Sequence, residues 1–120
     1  MDRDEFHRRV AGYLGRGTFD DLNARQAAAE LYRRFPMPSG SQVLFRRLGV
    51  PSALLKELKA LQPTPGAVRK ELVGIFAKRD QSSTEELTND LAECLWAAYH
   101  QDEIATEQAM KHAKPLYRSR

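Results

Sequence analysis

Residues 41 to 60 read Ser-Gln-Val-Leu-Phe-Arg-Arg-Leu-Gly-Val-Pro-Ser-Ala-Leu-Leu-Lys-Glu-Leu-Lys-Ala, and their pattern is that of helix, tight turn, helix. Leu44 and Leu48 lie four apart on the first segment, Gly49 follows at once, and Val50, Leu55 and Leu58 return to the same buried side from the second segment. A sharp junction between two helices needs a residue at positive φ, where a Cβ is sterically penalised, so Gly49 is the predicted pivot. Val50 then plugs the corner. Pro51 suits the first position of the second helix, because it loses no hydrogen bond there and arrives with φ already near the helical value.

The spacing resembles that of the helix-turn-helix DNA-binding proteins, over about 20 of the 120 residues. What the resemblance implies is a second helix, beginning near Pro51, that enters the major groove with its N-terminal part nearest the base edges. By position this assigns Ser52, Ala53 and Lys56 to the bases and Arg46, Arg47 and Lys59 to phosphates, while Ser41 and Gln42 match the backbone-contacting start of the first motif helix. Two positions depart from the pattern. Phe45 stands where a small residue usually lets the helices approach, and Pro51 where a serine or threonine usually caps the second helix. The family also commonly binds as dimers whose recognition helices meet successive major-groove turns, about 34 Å apart. The function expected on this resemblance is that of a transcriptional or mobile-element regulator that binds double-stranded DNA.

Charge is distributed unevenly along the chain. The net value is only +3, but residues 1–60 carry +4 and residues 61–120 carry −1. Within residues 31–60 six basic side chains (Arg33, Arg34, Arg46, Arg47, Lys56, Lys59) face a single acid, Glu57. Cations gathered on one stretch are the footprint of a phosphate-binding face, since each one placed at a phosphate releases condensed counterions.

The rest of the chain is expected to be helical. Asp2 and Glu5 have capping-box spacing ahead of a stripe of Phe6, Val10, Tyr13 and Leu14, which Gly15 and Gly17 end. A single turn over 18–22 precedes Asn23 and Gln26, the start of a second helix that reaches Phe35, and the run Pro36-Met37-Pro38-Ser39-Gly40 breaks the chain. After the central motif, Thr64 and Pro65 open a helix with Val68, Leu72, Ile75 and Phe76 on its buried side, and mid-helix Gly74 suggests a close crossing. Ser83 and Glu86 then cap the last helix. No β-branched runs bounded by turns occur, which disfavours a hairpin wing. The expected fold is all-α, a single domain over 1–120 with a bundle of five to six helices, no wing, the motif at about 41–60 and a long C-terminal helix at about 84–113.

That last helix has no glycine or proline before Pro115. A run of about 30 helical residues is about 45 Å long, more than a compact domain of this size requires. Either it breaks near Gln101-Asp102, or its far end projects and offers Ile104, Ala105, Ala109 and Met110 as a seam for a homodimer. Trp96 and Tyr99 either join that contact or pack on the N-terminal helices.

No catalytic or cofactor constellation is legible. His7, His100 and His112 share no face with a carboxylate pair, Cys94 sits on an apolar stripe as a small hydrophobe, and Gly15-Arg16-Gly17 is too short for a phosphate loop. The expectation is a non-enzyme without cofactor or metal. With one cysteine, no membrane-length apolar run and a charged N-terminus, the expected location is the cytoplasm. The competing expectation is a helical protein-interaction module, an adaptor, inhibitor or assembly subunit, that uses the leucines of 54–58 as a groove.

Overall fold

The computed structural model describes residues 2–36 and 45–111. Among these residues there are five α-helices and no strand: α1 (Arg3–Gly15), α2 (Ala24–Arg34), α3 (Ser52–Leu61), α4 (Pro65–Ala77) and α5 (Thr84–Lys111), with a 3₁₀ turn at Arg79–Gln81. Residues 45–47 are also helical and form the described end of the first motif helix. The all-α class and the long C-terminal helix stand as read from the sequence. Ser41 and Gln42 lie outside the described residues, as does the end of the last helix beyond Lys111. No described helix is long and apolar enough to cross a membrane.

The chain forms two units. One is built from the described residues up to Pro36 together with Thr64–Ala97, the other from the described residues between Phe45 and Pro63 together with those from Ala98 on.

In the first unit, start signals in the sequence become bonds. Asp2 Oδ1 accepts from the Glu5 amide at 2.8 Å, so α1 begins at Arg3. Asn23 and Gln26 complete a reciprocal capping box, with Asn23 Oδ1 accepting from the Gln26 amide and Gln26 Oε1 from the Asn23 amide. Ser83 Oγ accepts from the Glu86 amide at the head of α5. At α4 the proline alone marks the start: Pro65 occupies the first turn, and the Thr64 side chain makes no capping bond. Phe6 is the centre of the core, stacked on Phe35 with ring centroids 5.5 Å apart and meeting Trp96 edge-on at 5.7 Å. Trp96 therefore packs on the N-terminal helix. Phe19 and Phe76 meet at 5.8 Å, and the Arg79 guanidinium donates to the carbonyls of Phe19 and Leu22, which pins the loop after α1. Gly74 is exposed and a Cβ there would meet nothing within 4 Å, so the expected close crossing is absent.

The second unit has one apolar cluster of Phe45, Leu48, Val50, Leu58, Ala105 and Ala109, with Leu54 and Leu55 packed against it. This corrects the reading of the last helix. It runs unbroken through Gln101 and Asp102, and its far half covers the motif of its own chain: Ala105 and Ala109 are fully buried and are not free for a dimer seam. Ile104 is half-buried and Met110 is 51 % exposed. The same cluster accounts for Phe45. A bulky aromatic is accommodated because its cluster partners on α5 are alanines, so the small residues that permit close packing come from α5. Asp102, on the same buried stripe, accepts a hydrogen bond from Gln62 Nε2 at 3.1 Å, which ties the end of α3 to α5.

Candidate nucleic-acid interface

The junction between the two motif helices is a complete Schellman turn. Gly49 has φ 78°, its amide donates to the Arg46 carbonyl at 3.0 Å, and the Val50 amide donates to the Phe45 carbonyl at 3.1 Å. These bonds satisfy carbonyls that the end of the first helix would leave bare, and the accompanying apolar contact is the shared burial of Val50 and Phe45. Pro51 differs from its expected place by one residue. With φ −59° and ψ 146° it is the N-cap, not the first helical residue, and its carbonyl accepts the first helical bond from the Leu55 amide. A proline has no side-chain acceptor, so the leading amides of α3 have no side-chain cap. A helix N-terminus left in this way carries partial positive charge and outward N–H groups.

Four of the residues assigned from the sequence come together here. Arg46, Ser52, Lys56 and Lys59 line one open depression of about 470 Å³, with Val50 and Leu55 as its apolar floor. The positions 52, 56 and 59 recur at four and three residues, which puts them on one face of α3. Arg47 and Ala53 are exposed but do not line the depression, consistent with the 100° step between successive helical residues. No carboxylate lines it.

These cations differ from those of the chain that are held in ion pairs. Arg3 bonds Glu93, Arg9 bonds Glu5, Lys111 lies near Glu107, and Arg33 and Arg34 both engage Glu30. Arg33 in particular holds the Glu30 carboxyl below its ordinary value through a hydrogen bond. Two of the six cations counted in residues 31–60 are thus spent inside the first unit. Among the described residues Arg46, Arg47, Lys56 and Lys59 form no ion pair. Lys56 and Lys59 also repel each other at helical spacing, a cost of roughly 0.2–0.5 kcal/mol that an anion across the face removes.

The leucines that suggested a protein-binding groove pack towards the cluster, and Leu55 also lines the depression. Leu58 is fully buried, and Leu54 and Leu55 are half-buried against the cluster. The contribution of α5 to this unit had no signal within residues 41–60. The alternation of four and three in Leu91, Leu95, Ala98, Asp102, Ala105 and Ala109, all buried, is the pattern from which it was readable. Elsewhere, the Cys94 thiol is pushed up to about 12 by burial and then by the Glu71 carboxylate beside it, which leaves it protonated and a poor nucleophile at neutral pH.

No protein-family model, curated protein or solved structure matches this chain.

Proposed function

We propose that this chain is a DNA-binding protein that uses the motif around Gly49 as a helix-turn-helix. The observation that carries the reading is the set of unpaired cations, Arg46, Lys56 and Lys59, gathered with Ser52 in one carboxylate-free depression beside an uncapped helix start. On this reading Arg46 and Lys59 bind phosphates, Arg47 reaches a neighbouring phosphate, and Ser52, Ala53 and Lys56 lie nearest the base edges. Sequence readout is modest, because the remaining inward positions of α3 are leucines committed to the core. Phosphate contacts dominate affinity and make it salt-dependent. A role in transcription or mobile-element regulation follows from such binding and belongs to the same proposal.

The test is duplex binding measured by fluorescence anisotropy across a salt series for the wild type and for Arg46→Ala/Lys56→Ala. Loss of the phosphate contact by Arg46 lowers the magnitude of the slope of log K against log salt by about one unit, and by about two if Lys56 also meets a phosphate. Unchanged affinity and slope in the double variant, with helicity retained, refutes the assignment.

A further inference from the structure

A second depression carries the same chemistry in the first unit. Arg25 on α2 and Arg69 and Lys70 on α4 line an open groove of about 520 Å³ whose floor is small and apolar, with Ala28, Gly66 and Val73 at its base. All three cations are exposed, and among the described residues none forms an ion pair. Arg69 lies over the Tyr32 ring at 5.6 Å, a cation–π contact that positions the guanidinium and leaves its charge uncancelled. No carboxylate lines the groove. A Cβ added at Gly66 would meet nothing within 4 Å, so that side of the groove is open to a ligand backbone.

The depressions of this unit differ in charge. The depressions along α5 are lined by acids, Glu71, Asp90 and Glu93 in one and Glu85, Glu86 and Asp90 in the other, whereas the groove between α2 and α4 has cations alone. Unpaired like charges held together raise the energy of the free protein, and an anion of matching extent removes that cost.

We propose that the groove of Arg25, Arg69 and Lys70 is a second phosphodiester-binding face, which takes the backbone of a nucleic acid without reading its bases. Two features favour this occupant. The groove offers three cationic hydrogen-bond donors over an apolar floor and no acceptor side chain, so what it favours is an anion that presents several acceptor oxygens along its length. The three cations stand on two helices along one open groove, which suits the repeated charges of a linear polyanion rather than a single small anion. The assignment shares its ligand with the reading above but rests on different residues.

The experiment measures anisotropy of a labelled duplex of mixed sequence across a salt series for five proteins: wild type, Arg25→Gln/Lys70→Gln, Arg25→Lys/Lys70→Arg, Arg46→Ala/Lys56→Ala, and the combination of Arg25→Gln/Lys70→Gln with Arg46→Ala/Lys56→Ala. The expected result is that Arg25→Gln/Lys70→Gln flattens the salt slope by about two units, alike for any duplex sequence, and that the charge-preserving Arg25→Lys/Lys70→Arg does not. If the wild type binds and only the Arg46/Lys56 variant loses slope, the groove is not a phosphate face and the helix-turn-helix reading stands. If only the Arg25/Lys70 variant loses slope, the groove is confirmed and the helix-turn-helix reading falls. A wild type that binds no duplex, or that binds anionic phospholipid vesicles in its place, overturns this proposal.

Discussion

Substitution of Gly49 tests the turn that the motif depends on. At φ 78° an L-residue can respond in two ways. It can keep the left-handed conformation, at a steric cost of roughly 1–2 kcal/mol. Alternatively it can rotate away and give up the bonds from Gly49 to Arg46 and from Val50 to Phe45, at roughly 0.5–1.5 kcal/mol each. Replacing glycine also restricts the unfolded chain, which returns about 0.4–1 kcal/mol. The expected net losses are ~1 kcal/mol for Gly49→Ala and ~2 kcal/mol for the β-branched Gly49→Val, with Gly49→Asn close to neutral because asparagine tolerates this region. With a urea dependence of about 1–2 kcal/mol per molar, the alanine variant shifts the midpoint by roughly 0.5–1 M. Far-UV circular dichroism is the appropriate readout, since Trp96 belongs to the other unit and its fluorescence reports on that one. The order Asn, Ala, Val is the signature. Equal midpoints for all three variants would mean that residue 49 does not hold a left-handed conformation, and the argument for the turn would collapse.

Three further outcomes follow from the packing and the titrating groups. Ala105→Leu inserts three carbons into the cluster with Phe45 and Leu58 and should destabilise the second unit by about 1–3 kcal/mol in urea melts, whereas the same change at exposed Ala97 should be near neutral; equal effects would remove α5 from that core. Cys94, with its thiol pushed up to about 12, should resist a thiol-specific reagent at pH 8 in the native protein and react once in denaturant, and rapid native labelling would contradict its burial. Glu93 is held below its ordinary carboxylate value by hydrogen bonds from His7 and then Arg3. Its contribution to stability is therefore present above the unfolded-state value and lost as the pH falls through the depressed one. Glu93→Gln should lower the melting temperature slightly at neutral pH and lose its effect in acid; a penalty that persists in acid would show that charge is not its source.

The local features were legible in the sequence. Capping at Asp2, Asn23 and Ser83, the proline start of α4, the positive φ of Gly49 and the inward set of Leu48, Val50 and Leu58 all follow from interactions within a few residues, so the types and spacings carry them. Ser52 and the cations of α3 were legible for the same reason, since positions 52, 56 and 59 meet on one face of any helix. What the far half of α5 does depends on long-range packing. Ala105 and Ala109 read as an apolar seam from sequence, but an apolar stripe states only that something covers it. Its partner, Phe45, lies some sixty residues away, and that pairing depends on how the chain folds back. The groove of Arg25, Arg69 and Lys70 was invisible for the same reason: its cations come from helices about forty residues apart, each unremarkable alone, and they form one charged surface only because α2 and α4 pack side by side.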